Sequence, residues 1–299
     1  MIASMNTPAS KSTEPSAQIV PAPTQPLAAP VESALPPLAA TAEDDSAAEA
    51  IARALAEPAR TAEEAVARPL ILVVHASVGS GHRSAANAIA EALEEAGEAA
   101  RAAGNDNSLE ARSEVRVLDI LDFGRIVFDG DKTASMFTGW TRPFYDLTWR
   151  YTLTGRLLWG GGTIWARLMY PKFTEYVRRL RPAAIVATHI TAANVAVSAR
   201  MITGQSFPIV CVPTDYEAEG LWPHLHTDLF CVANESMAET LRPRRVPEEG
   251  IRITGIPTRE DFRRTYDQRE TRERLGLPQD KTVVLALAGA QLPRPYVHF

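Results

Sequence analysis

The chain has 299 residues, room for one large domain or two small ones, and a formal net charge of -5. That charge argues against general nucleic-acid binding, which goes with a strongly basic domain. Its two cysteines, Cys211 and Cys231, sit inside apolar runs and offer no zinc-ligand spacing, so they read as small buried hydrophobes in a reducing compartment.

Residues 1–68 are rich in Ala, Pro, Ser, Thr and acidic side chains. Such a segment buries too little apolar surface to offset its chain entropy, and disorder is the expectation, with a transient helix around residues 49–55. No charged region followed by an apolar core marks a signal peptide, and no apolar stretch reaches the roughly 18 residues a spanning helix needs.

The stretch Leu70 to Leu93 organises the rest of the chain. It opens on a Leu/Ile/Val run suited to a strand buried on both faces of a parallel sheet. Gly79-Ser80-Gly81-His82 makes a tight turn, and from Arg83 onward Ala85, Ala86, Ile89, Ala90 and Leu93 share one helical face. Residues 115–120 read as a second strand, and further apolar runs, each ending in small or polar residues, cover residues 183–187, 208–212, 229–232 and 251–254. Helix-compatible sequence separates most of them, the rhythm of a doubly wound, Rossmann-like parallel sheet. Ligands in such sheets bind beyond the carboxyl ends of the strands, so His82, His189 and Asp215 are expected to converge on one crevice.

Between residues 123 and 181 that rhythm breaks. The segment holds Trp140, Trp149, Trp159 and Trp165, and from Arg125 to Arg181 ten Lys or Arg face four Asp or Glu. Tryptophan and arginine on segments too short to span suit a surface lying in the headgroups of an anionic membrane. Aromatics filling a core explain the same composition. Beyond Pro257, residues 259–275 predict a charged helix and 282–288 one more buried strand, the start of a second domain at about residue 260.

The glycine turn matches neither common nucleotide motif. Ser84 stands where the dinucleotide fingerprint places its third glycine, and His82 where a P-loop has lysine. Two readings stand on spacing alone: an anion or backbone approach, or close helix–strand packing. The helix dipole favours a neutral imidazole at His82, and a neutral imidazole can accept a proton as a general base; the plainer reading is a histidine satisfied by backbone. Asp215 is placed to orient an imidazole or accept from a substrate hydroxyl, or simply to cap a turn. Trp222 either packs an apolar chain or plugs the core.

Residues 76–86, with Gly79, Gly81 and His82, resemble the Gly-x-Gly-His motif of the monogalactosyldiacylglycerol synthase and diacylglycerol glucosyltransferase family. Thr214-Asp215-Tyr216, followed by Trp222 and Asp228, resembles that family's second block, and Thr254-Gly255-Ile256-Pro257 with Phe262 its third. The resemblance implies the N-terminal half of a GT-B glycosyltransferase, with the acceptor domain over residues 69–259 and a truncated start of the UDP-sugar domain over 260–299. It implies transfer of a hexose from a UDP-sugar to diacylglycerol with inversion, without metal or other cofactor. His82 is then the catalytic base with Asp215 beside it, and Gly79, Gly81, His189, Trp149, Trp159 and Trp222 meet the lipid acceptor. The implied setting is the cytoplasmic face of an anionic membrane. Since the chain ends where the family's donor domain should continue, little transferase activity is expected of it alone. The alternative is a non-catalytic lipid-binding module derived from such an enzyme.

Overall fold

The computed structural model describes residues 51–53, 55–77, 80–125, 164–216 and 222–284. Six parallel strands form one sheet in the order β2-β1-β3-β4-β5-β6: β1 Leu70–His75, β2 Glu114–Asp119, β3 Ala184–Ala187, β4 Ile209–Cys211, β5 Leu229–Val232 and β6 Ile251–Ile253. This is the α/β, Rossmann-like arrangement that the alternation of apolar runs predicts. The chain leaves β1 for β2 on one side and then crosses to β3 on the other. That order reversal falls between β1 and β3, and in sheets of this kind ligands bind in the crevice beyond the carboxyl ends of the strands at such a point. Register across this point is Leu72↔Ile185 and Val73↔Val186.

Side-chain alternation along β1 feeds two apolar layers. Leu70, Leu72 and Val74 point into the larger one, with Ile185, Ile209 and Phe230 from neighbouring strands. Covering it are α4 (Pro171–Leu180) through Phe173, Tyr176 and Val177, α5 (Ile190–Thr203) through its alanines and valines, and α6 (Glu235–Leu241) through Met237 and Leu241. Val73 and Val186 point to the other face, which α2 (Ser80–Ala102) covers with Ala86, Ile89 and Leu93. Close approach is demanded at Gly97, where an added Cβ would meet the Glu110 carbonyl oxygen of α3 (Leu109–Arg112) at 2.8 Å.

The expectation of disorder through Arg68 is corrected for residues 51–68. Ile51 is buried in the larger core, and α1 (Ala62–Ala67) starts at a Thr61 capping box. Arginines tie the rest down. The Arg60 backbone N–H donates to the Arg179 carbonyl at 2.8 Å, and Arg116 on β2 pairs with Glu57 at 3.2 Å. Arg112 donates to the Val66 carbonyl at 3.0 Å. Composition undervalued this segment because its anchorage is polar, from side chains elsewhere to its backbone and carboxylates.

The charged helix expected over 259–275 is shorter: a 3-10 turn at Glu260–Phe262, then α7 (Gln268–Arg274) capped by Asp267. Residues 282–284 are not strand, and the remainder of that expected strand lies outside the described residues.

Candidate active site

Three strand ends deliver the polar residues of the crevice. Beyond β1 the chain turns into α2, whose first turn carries His82. Beyond β3 come Thr188 and His189, the latter capping α5 by accepting from the Thr191 N–H at 3.1 Å. Beyond β4 comes Thr214. The half-buried His82 ring sits among all three.

Its Nδ1 lies 2.8 Å from the Thr188 carbonyl oxygen and 3.1 Å from Thr214 Oγ1. A carbonyl only accepts, so Nδ1 carries the imidazole proton and donates it, with the Thr214 oxygen as a second acceptor. The neutral ring therefore keeps its lone pair on Nε2. In return, the Thr188 hydroxyl donates to the His82 carbonyl at 3.0 Å. The His189 ring stands edge-on to His82, centroids 4.6 Å apart and planes at 85°.

A third histidine, His75, ends β1 and is buried; its Nδ1 lies 3.9 Å from Asp119 Oδ2 and has no hydrogen-bond partner among the described residues. Asp119 also accepts from the Ser77 N–H at 3.1 Å and the Leu121 N–H at 2.9 Å, tying the turn after β1 to the end of β2. Burial, and then the nearby His82 and His75, push His189 down to about 3. Burial likewise lowers His75, against the pull of Asp119. Both neighbours are thus neutral at ordinary pH, leaving His82 beside two uncharged rings. The arrangement can accept a proton at Nε2 from a hydroxyl brought to the crevice.

The structure brings together His82 and His189 as expected, and adds His75, Thr188 and Thr214. Gly81 is exposed, and an added Cβ there would meet nothing within 4 Å, so close packing is not its reason; it leaves the helix start open to approach. Asp215 is exposed, and the groups within hydrogen-bond distance of His82 Nδ1 among the described residues are the Thr188 carbonyl and Thr214 Oγ1. Trp222 is 3% exposed and packs edge-on against Phe230 at 6.2 Å, which corrects the expected lipid contact in favour of a core plug. Asp228 is structural, bound to Arg200 and accepting from the Ile209 N–H at 2.8 Å. Gly79, Trp149 and Trp159 lie outside the described residues. Among the described residues no three His, Cys, Asp or Glu gather as metal ligands.

Curated proteins similar to this chain are named as diacylglycerol glucosyltransferases. A processive diacylglycerol beta-glucosyltransferase of Bacillus licheniformis is 28% identical over 127 residues, 42% of this chain and 33% of that protein. Enzymes of the same name from Bacillus cytotoxicus and Bacillus subtilis are 33% and 31% identical over 88 and 91 residues, 23% and 24% of their lengths. The alignments thus span a third or less of these relatives. A solved apo structure of the lipopolysaccharide outer core galactosyltransferase WaaB is similar at a TM-score of 0.33 and 13% identity, covering 62% of this chain and 44% of that one. The family model for monogalactosyldiacylglycerol (MGDG) synthase matches residues 82–258, which begins at the crevice imidazole and runs past β6. With more than half its length inside that match, the chain belongs to the MGDG synthase family.

Proposed function

We propose that this chain supplies the acceptor half of a GT-B glycosyltransferase that moves a hexose from a UDP-sugar to diacylglycerol with inversion. The observation that carries the reading is His82 Nδ1, 2.8 Å from the Thr188 carbonyl oxygen at the sheet's switch point, an arrangement that leaves the lone pair of the neutral ring on Nε2. The acceptor hydroxyl gives its proton to Nε2 as its oxygen bonds to the anomeric carbon. The bond from that carbon to the diphosphate breaks, and UDP leaves with the electron pair. The resulting imidazolium still donates from Nδ1 to the Thr188 carbonyl. No cofactor takes part in this scheme; the UDP-sugar is a substrate.

Residues 164–169 support a membrane-facing surface at the cytoplasmic side. This helical stretch exposes Ile164, Trp165 and Leu168 beside Arg167, apolar side chains next to a cation, as an interfacial segment requires. No helix among the described residues is long and apolar enough to cross a membrane, consistent with peripheral attachment.

The test is a chimera carrying residues 51–258 in place of the matching segment of the Bacillus licheniformis enzyme, assayed with diacylglycerol vesicles and UDP-glucose or UDP-galactose. His82→Ala should lower turnover about 10²- to 10⁴-fold, the range of general-base catalysis. Near-normal turnover in that variant would remove His82 as the base. Sedimentation with anionic vesicles at low salt tests the surface, and Trp165→Ala with Leu168→Ala should weaken it. A chain that binds vesicles while its chimera has no transferase activity would favour the lipid-binding module.

A further inference from the structure

We infer that Thr188 is the positioning residue that fixes which nitrogen of His82 is free to take a proton. The inference rests on the proposed role of His82, and deepens it. Thr188 is fully buried and meets one residue, 106 positions away, with two groups at once. Its carbonyl accepts from His82 Nδ1 at 2.8 Å while its hydroxyl donates to the His82 carbonyl at 3.0 Å. The first bond sets the tautomer and the ring's rotation. The second holds the backbone of α2's first turn, and with it the Cα from which the ring hangs. The clamp is itself anchored, since the Thr188 N–H donates to the Val74 carbonyl at 3.0 Å, extending the β1–β3 ladder by one residue.

A buried threonine hydroxyl bonded to a carbonyl is ordinarily just a satisfied polar group. What departs from that here is reciprocity, together with the neighbours. Thr214 Oγ1, 3.1 Å from the same Nδ1, can either accept from Nδ1–H or donate to a bare Nδ1, because a hydroxyl does both. Thr214 alone therefore leaves the tautomer undecided. The Thr188 carbonyl decides it, and the Thr188 hydroxyl keeps that carbonyl and the imidazole in register.

The test reads the tautomer directly, on the full 299-residue chain labelled with ¹⁵N-histidine, by long-range ¹H–¹⁵N correlation at a pH where the ring is neutral. The resonances of His82 are identified by their loss in His82→Gln. Wild type should show a protonated Nδ1 and a bare Nε2. Thr188→Val keeps the shape but removes the hydroxyl, and should move both nitrogen shifts toward averaged values; Thr188→Ser should restore the wild-type pattern. Thr214→Val should leave the tautomer as it is. A wild-type spectrum with the proton on Nε2 overturns the inference without any variant, so it stays open to refutation should Thr188→Val fail to fold. An unchanged spectrum in a folded Thr188→Val overturns it too, as does averaging in Thr214→Val. Loss of the base role in the chimera assay would leave these spectra untouched, so the two readings fail separately.

Discussion

The sharpest consequence of three histidines at one sheet edge is an acid-sensitive fold, and His189 is where it can be isolated. Its folded value is about 3 against 6.5 for a free imidazole, with burial the main cause. Between those values the unfolded chain binds a proton that the folded chain refuses. Stability is therefore held above pH 6.5 and falls as pH drops through the window, by about 1.4 kcal/mol per pH unit once the unfolded imidazole is charged. From pH 7 to pH 5 the loss is about 2 kcal/mol for this residue. His75, lowered in the same direction by its burial, adds a fall of the same sign. The informative substitution is His189→Asn. Asparagine cannot titrate, yet it keeps a side-chain oxygen for the Thr191 N–H, as Asn234 does for the start of α6. Urea unfolding at pH 7, 6 and 5 should show a steep loss in wild type and a loss smaller by about 2 kcal/mol in the variant. Equal losses in the two proteins would mean that His189 does not carry a depressed value, and the electrostatic account of the crevice would fail with it.

Two glycines of α2 should respond oppositely. Gly97→Ala drives a methyl group against a backbone oxygen at 2.8 Å and should destabilise by about 1–3 kcal/mol in thermal or urea unfolding, more than the roughly 1 kcal/mol that better helix propensity returns. Gly81→Ala enters open space and should leave stability unchanged or slightly raised. Trp222→Ala should cost about 3–5 kcal/mol, as for an emptied core site, with vesicle binding per folded molecule unaltered; reduced vesicle binding at full stability would restore the lipid-contact role. Cys211, pushed up to about 12 chiefly by burial, should resist iodoacetamide at pH 8 in the native protein and react on unfolding, as followed by mass spectrometry.

The strands were legible because four of the six are dominated by apolar residues, while β2 and β6 set β-branched residues or leucine around a charged side chain. Leu229–Val232 falls on its predicted bounds, and the runs at 183–187, 208–212 and 251–254 differ from the observed strands by one residue at an end or both. His82 and His189 were legible too, one in the first turn of the helix that follows β1 and the other two residues beyond β3. Thr188 and His75 were not, for different reasons. Thr188 acts through its backbone carbonyl and a hydroxyl, which carry no distinctive residue chemistry, and His75 is the last residue of an apolar run that periodicity absorbs into the core. Asp215 and Trp222 were legible as chemistry but not as geometry: which side chain faces the imidazole after β4, and whether an indole turns inward, is decided by packing that spacing does not report. Residues 51–68 were missed because hydropathy has no way to register arginine forks closing on backbone oxygens.

Those forks carry a practical lesson for anyone trimming the gene. Composition recommends starting at Pro69, just before the first strand. Such a clone would discard Glu57 and the backbone oxygens of Glu57, Val66 and Ala67, taking from Arg112, Arg116 and Arg179 part of the set of partners that each guanidinium holds, and would open the hole that Ile51 fills. Beginning upstream of Ile51 keeps the bolts in place.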